Sequence, residues 1–473
     1  MTVNYDQIYP IEDTHKFQID ETKILLDVNS GSVHVIDEVV WDIHEAMLNN
    51  EGHLEDAVNS LKDRYDSQKL FSAKNEILNL IEQDTLFTYD EYRDRYIPPE
   101  KPVLKSLCLN VSHDCNLRCQ YCFASSGDFG GQRLLMSEET GKRAIDFLME
   151  HSGSRKHCEI DFFGGEPLMN IHVVKSLVAY GKKRAEERGK ALKFTITTNG
   201  VGLNKEIKDY LARENISVVL SLDGRREIHD RVRKFPSGRG SYDVVNTNIK
   251  ALLKLRNNDN YYIRGTYTGY NKDFYQDAVH MVNEGYKIIS LEPVVAMEGE
   301  DYRLREEDIP QLREEYLKLA QFYQRRKREG RPFTFFHFNL DLNHGPCLPK
   351  RLTGCGAGHE YMVVTPEGDL YPCHQFVGRE DYKLGNLDST ELNEKLRKYF
   401  QNAHIYNKRQ CHKCWARFFC SGGCHANAEA ENHDIYQPYQ LGCKLQKIRL
   451  ECAIWLQVKE ALDEQCQAPT YAI

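Results

Sequence analysis

At 473 residues the chain exceeds what one hydrophobic core usually serves, so two or three domains are expected, and a hydrophobic fraction of 41% is enough to build them. No run approaches eighteen uncharged apolar residues, and Met1 leads into polar, acidic sequence; a membrane span and a secretory leader are disfavoured, and a cytoplasmic protein with no membrane partner is expected. Residues 1–90 hold 19 acidic against 6 basic side chains, a net of −13 in a chain totalling −8, which leaves +5 elsewhere; this first stretch repels a phosphate backbone, so no nucleic-acid partner is expected.

Period-two alternation over 15–20, 22–28 and 32–37 predicts three short strands, with Asn29, Ser30 and Gly31 in a turn. Helical patterns follow over 37–49, 53–64 and 70–83, where Trp41, Ile43, Leu61, Leu70, Ile77, Leu78 and Ile81 recur at core spacing. Residues 1–95 thus read as a small winged-helix-like α+β unit. Such a unit commonly suggests DNA, but the acidic charge argues against it and leaves a peptide-docking module.

Over 100–300 the apolar β runs SLCLNVS, CEIDFFG, FTITTNG, ISVVLSLDG, YYIRGTY and YKIISLEP alternate with helical stretches at 137–150, 173–189 and 204–215. Six βα units with buried strands predict an α/β fold, a parallel sheet curled into a partial (β/α)6 TIM-like barrel with its chemistry at the C-terminal strand ends. Residues 301–345 read as a charged bridging helix with a solvated face. From 346 to 473 the chain is cysteine-dense and poor in long periodic segments, which predicts a loop-rich domain stapled by metal. No solenoid-length repeat or low-complexity tract is present.

Fifteen cysteines in short clustered spacings, without an export signal, point to metal ligation rather than disulfides. Directly after the first barrel strand, HDCNLRCQYCFA places Cys115, Cys119 and Cys122 in a C-x3-C-x2-C spacing. Three thiolates hold three irons of a cubane and leave the fourth open, whereas a structural zinc site takes four protein ligands. The next strand ends in DFFGGEP, where Gly164 and Gly165 permit close backbone approach and Glu166 offers a carboxylate to a cation, although GG is also ordinary turn sequence. Further strand ends supply Thr197, Thr198 and Asn199, then Ser221 and Asp223, groups suited to a ribose diol or an amino-acid carboxylate and equally to plain turn chemistry.

Together with the aromatic Tyr121 ahead of the last cysteine, these motifs resemble the radical S-adenosylmethionine superfamily. The resemblance implies that S-adenosylmethionine docks on the open iron, that one electron splits its C5'-S bond, and that the resulting 5'-deoxyadenosyl radical abstracts hydrogen. It also implies cofactor contacts at Tyr121, Phe123, Gly164, Gly165, Glu166, Pro167, Thr198, Asn199, Ser221, Asp223 and Arg233, with the region of Glu292 as a further candidate.

Farther along, Cys355 is followed by Gly368 and Cys373 across a predicted hairpin whose turn is Pro366, Glu367, Gly368 and Asp369. Cys411, Cys414, Cys420 and Cys424 follow in C-x2-C-x5-C-x3-C spacing, and Cys443 stands alone. Two zinc sites are the structural rival. The array resembles the SPASM domain of radical peptide-modifying enzymes, and that likeness implies three 4Fe-4S clusters in all. Cys355, Cys373 and Cys424 would hold the auxiliary cluster nearer the active site, and Cys411, Cys414, Cys420 and Cys443 the distal one. The nearer cluster lacks one ligand, which Cys347 would supply, or a substrate thiol if the site stays open. Cys108, Cys158, Cys452 and Cys466 lie in apolar patterns and are expected in the core. His113, His374, His412 and His425 neighbour these ligands.

The whole chain resembles the maturases of SCIFF peptides, short precursors containing six cysteines. That likeness implies a thioether crosslink between cysteine sulfur and an acceptor carbon in a cysteine-rich precursor peptide, with a flavodoxin or ferredoxin as electron donor. The strand edge at Ser32, Val33, His34, Val35 and Ile36 is expected to pair with an extended leader, one carrying basic residues. The alternatives are an anaerobic sulfatase-maturating (formylglycine-generating) enzyme, relatives of which carry Asp where this chain has His374, and a non-catalytic iron-sulfur electron carrier.

Overall fold

A computed structural model describes residues 8–342, 348–389 and 391–467. The chain opens on an antiparallel meander, β1 (Thr14–Ile19), β2 (Thr22–Asp27) and β3 (Val33–Val35), followed by helices Glu38–Asn49, Leu54–Ser60 and Ser67–Glu82. Side chains set the helix starts: Asp37 accepts from the Val40 N–H and Asp66 from the Gln68 N–H. Fully buried Asp27 fixes the turn before β3, accepting from the backbone N–H groups of Ser30 and Thr88 at 2.9 and 3.0 Å. The small sheet is buried on both faces. Leu25 packs with Val40, Ile43, Met47, Leu70 and Ile77, while Phe17, Ile19, Ile24 and Leu26 join the main core.

The six predicted barrel strands are β4 (Ser106–Ser112), β5 (His157–Gly164), β6 (Ala191–Thr198), β7 (Ser217–Ser221), β8 (Tyr261–Tyr267) and β9 (Ile288–Pro293). They lie side by side in chain order, all parallel, as the α/β reading requires. Two features of the C-terminal third correct the expectation of a loop-rich appendage. The predicted hairpin, β11 (Tyr361–Val364) and β12 (Asp369–Tyr371), extends the barrel sheet, with β11 parallel to β4. With β10 (Thr334–Phe335) beyond β9 and β13 (Gly385–Asn386) beyond β12, the sheet reaches ten strands.

The second correction is the helix Gln440–Gln467, the longest in the described chain. Every residue from 448 to 456 is buried, Arg449, Glu451 and Trp455 among them, so no apolar stripe stands out against a polar face. It packs along helix Ile309–Arg328, the expected charged bridge. That helix buries Leu312, Tyr316 and Leu319 and turns its charges onto its neighbour, with Arg313 on Glu451 at 2.7 Å and Arg328 on Asp463 at 3.0 Å. Its charge run is thus a paired face as well as a solvated one. Among the described residues no helix is long and apolar enough to cross a membrane.

Candidate active site

A chamber of about 660 Å³ opens at the C-terminal ends of the barrel strands. Cys115, Cys119 and Cys122 line one side of it, and Cys420, Cys424 and Cys443 line another. The cysteine loop leaves β4 at Ser112, and the DFFGGEP turn holds it there. The Gly165 N–H donates to the Ser112 carbonyl at 2.7 Å and the Glu166 N–H to the Asp114 carbonyl at 2.9 Å. A Cβ on Gly165 would stand 2.3 Å from the Asp114 oxygen and 2.8 Å from Gly127 Cα; one on Gly164, at φ +130°, would meet the Ser112 oxygen at 2.2 Å. These glycines therefore make room for the backbone of the cysteine loop, in addition to facing the chamber.

Burial pushes the Cys115 thiol up to about 12 and the Cys119 thiol up to about 11, the latter against the opposing charge of Arg233. Both are protonated in the absence of metal and release a proton on taking up iron. Arg233 Nη1 lies 3.9 Å from Cys119 Sγ.

The strand-tip carboxylates are held by donors from the protein itself. Glu166 is buried and accepts from the Leu168 N–H at 3.0 Å, Thr198 Oγ1 at 2.7 Å and the Asn199 N–H at 2.8 Å. Burial lifts its carboxyl to about 7 against these donors, and with Pro167 it sits behind the wall formed by Gly164, Gly165, Thr198 and Asn199. Asp223 is fully buried and accepts from Tyr121 Oη at 2.6 Å, Arg233 Nε at 2.9 Å and the Thr266 N–H at 2.9 Å. Asp223 thus positions Tyr121 and Arg233, which line the chamber in front of it. Phe123, Ser221, Thr198 and Asn199 also line it, and Asn199 Nδ2 reaches Asn116 Oδ1 at 2.7 Å and Cys115 Sγ at 3.7 Å.

The barrel interior below adds charges whose signal in the sequence was period-two placement inside buried strands. Asp161 and Arg264 line the chamber from β5 and β8. Glu292 accepts from His337 Nε2 at 3.0 Å and Arg449 Nη1 at 3.5 Å, which hold its carboxyl well below the carboxylate range despite burial. His374 stacks on Phe163 with ring centroids 4.8 Å apart, and burial lowers it to about 4, so its imidazole is neutral.

The C-terminal cysteines form two groups. Cys411, Cys414, Cys420 and Cys443 surround one small cavity of about 30 Å³. Cys373 feels the charges of Cys424 and Cys355. Buried Lys408 stands between the groups, close to Cys411, Cys420, Cys424 and Cys355, with Nζ donating to the Gly422 carbonyl at 2.7 Å. Cys347 and the side chain of Cys466 lie outside the described residues, while Cys108, Cys158 and Cys452 are buried. Among the described residues no three His, Cys, Asp or Glu side chains converge on one metal ion. All-thiol sets of this kind suit iron-sulfur clusters, which are held by cysteine thiolates.

Comparison with known proteins gives the same two halves. The Radical SAM superfamily matches residues 109–284 and the SPASM iron-sulfur cluster-binding domain matches 355–415. The cysteine-type anaerobic sulfatase-maturating enzyme of Clostridium novyi is 26% identical over 355 residues, covering 69% of this chain and 90% of that protein. The radical SAM cyclopropyl synthase TigE of Paramaledivibacter caminithermalis is 26% identical over 393 residues, covering 77% and 78%. In fold, native anSMEcpe with bound AdoMet and a Kp18Cys peptide superposes with a TM-score of 0.63 at 21% identity, over 76% of this chain and all of that one. Streptococcus suis SuiB bound to its precursor peptide SuiA gives 0.50 at 16% identity, over 91% of this chain and 98% of that one. A three-thiol loop cradled by the GG turn, hydroxyl and amide groups at the strand tips, and a second cysteine array across the chamber fit iron-sulfur clusters and S-adenosylmethionine. The chain is an enzyme of the radical SAM superfamily that carries a SPASM domain behind its barrel.

Proposed function

We propose that the chain binds three 4Fe-4S clusters and forms thioether crosslinks between cysteine sulfurs and acceptor carbons of a ribosomally made, cysteine-rich precursor peptide. The observation that carries this reading is the single chamber bounded by Cys115, Cys119 and Cys122 and by Cys420, Cys424 and Cys443. A substrate held there faces a site for hydrogen-atom abstraction and a site that takes up an electron. When bound and reduced by one electron, S-adenosylmethionine supplies the radical that removes the hydrogen atom.

The chain's own residues shape the rest. Asp223 fixes Arg233 and Tyr121 behind Cys119, Glu166 straps Thr198 and Asn199 to the GG turn, and Arg264 and Arg449 bring positive charge to the chamber floor beside Asp161 and Glu292. β3 ends its sheet with Val35 52% exposed, which suits pairing with an extended leader segment across Ser32 to Ile36.

The formylglycine reading draws at least equal support from the sulfatase-maturating relatives, and two observations bear on the choice. His374, where the resemblance to those relatives implies an Asp, is a neutral, stacked imidazole. The anSMEcpe match spans all of that protein yet leaves about a quarter of this chain uncovered, whereas the match to SuiB bound to its precursor peptide takes in 91%, which supports a precursor-peptide substrate. Incubating anaerobically reconstituted enzyme with a leader-bearing cysteine-rich precursor separates the two. Tandem mass spectrometry showing loss of two hydrogens per link, with no aldehyde captured by hydrazide, supports crosslinking; a hydrazide-reactive aldehyde at cysteine or serine overturns it.

A further inference from the structure

Asp161 lies on β5 three residues before Gly164, at a position that the alternation of the strand turns into the barrel, and it lines the chamber. Its Oδ1 is sealed from solvent and has no hydrogen-bond partner among the described residues. The other acids of this region are tied: Glu166 and Asp223 by three donors each, and Glu292 by His337 and Arg449. A buried acceptor without a partner on the wall of a reaction chamber calls for an explanation, and a substrate group that hydrogen-bonds it there supplies one.

The surroundings of Asp161 say what it faces. Cys108 is its register partner on β4, Tyr262 and Arg264 come from β8, Tyr361 from β11, and Glu159 from its own strand. β5 neighbours β4, β4 pairs with β11, and the β11–β12 hairpin leads directly to Cys373, so Asp161 stands on the side of the sheet toward that cysteine. Burial, with Glu159 adding to it, lifts the Asp161 carboxyl to about 7, close to the balance point a general base needs near neutral pH.

We infer that Asp161 is the proton acceptor for the substrate thiol during crosslinking, a role that rests on the thioether reading above. The substrate S–H bond breaks and its proton goes to the Asp161 carboxylate. Sulfur then bonds to an acceptor carbon that has lost a hydrogen atom to the cofactor-derived radical, and the one surplus electron passes to an iron-sulfur cluster. One proton, one hydrogen atom and one electron leave, which equals two hydrogens per link.

The test follows crosslinked peptide and 5'-deoxyadenosine together in reconstituted wild-type enzyme, Asp161→Asn and Asp161→Glu, from pH ~5.5 to ~8.5. In the wild type the crosslinking rate falls as pH drops below about 7, because the carboxylate is then protonated. In Asp161→Asn this acidic limb disappears and the 5'-deoxyadenosine formed per crosslink rises by about 10²-fold, the scale of a lost general base. Asp161→Glu keeps a carboxylate and therefore keeps an acidic limb at a displaced midpoint, which a purely structural role does not predict. Unchanged coupling in Asp161→Asn, or an acidic limb that survives in it, overturns the assignment. A wild type that makes 5'-deoxyadenosine but no crosslink at any pH overturns the thioether reading, and the role of Asp161 with it.

Discussion

Glu166 and Asp223 stand within a few residues of chamber-lining groups, yet each works through a neighbour. Glu166 joins the β5 turn to the β6 tip, and Asp223 joins the β7 tip to Tyr121 and to β8. The cysteines were legible in the sequence because their spacing alone encodes their chemistry. The roles of Glu166 and Asp223 were not, since their partners lie 33, 43 and 102 residues away and only strand order brings them near. Gly165 has backbone on two sides where a Cβ would go. Gly165→Ala should therefore displace the cysteine loop and lower the iron bound there. Iron and sulfide assays on the anaerobically reconstituted variant should show about one cluster fewer than wild type, with thermal stability reduced by roughly 1–3 kcal/mol, the usual cost of overpacking.

The hairpin of β11 and β12 and the helix Gln440–Gln467 were half legible. The PEGD turn revealed the hairpin, but nothing local says that β11 pairs with β4 some 250 residues earlier, because edge pairing is a tertiary choice. The helix hid because it is buried all round over 448–456, so its apolar residues show no period. Together the two elements carry the second cysteine array to the barrel mouth, with the Lys408 side chain enclosed between its two groups. A buried cation stabilises the more negative, reduced form of nearby clusters. Lys408→Met should lower the reduction potentials of the clusters proposed at the two C-terminal cysteine groups by tens of millivolts, on the order expected for one charge at partly screened range, and leave the cluster proposed at Cys115, Cys119 and Cys122 within error. Redox titration followed by electron paramagnetic resonance reads all three; potentials unchanged in every cluster would contradict the placement.

Across the molecule, the acidic N-terminal unit is clamped rather than tethered. Arg417, in the loop between Cys414 and Cys420, donates to Asp13 at 2.9 Å and to the Asn29 side chain, and faces Asp90 at 3.8 Å. His15 stacks on Trp415 with centroids 3.9 Å apart and bonds Glu451 at 3.1 Å. The distal cysteine group thus shares its loop with the seat of the unit proposed to hold the leader. Removing the buried guanidinium leaves Asp13 with the Asn29 amide and Asp90 with the Tyr406 hydroxyl as remaining donors, a loss of about 1.5–3 kcal/mol for charge-assisted hydrogen bonds. Arg417→Ala should unfold or release the N-terminal unit at lower temperature than the barrel, visible as faster hydrogen exchange over β1 to β3, and should weaken binding of a leader peptide.

The account as a whole turns on a hydrogen atom leaving the peptide for the cofactor held over Cys115, Cys119 and Cys122. A precursor deuterated at its acceptor residues tests that directly by mass spectrometry of the 5'-deoxyadenosine produced. One deuterium should appear per thioether link, and none in a variant with the three cysteines replaced by alanine. Crosslinked peptide accompanied by unlabelled 5'-deoxyadenosine, or formed by the triple variant, would contradict it.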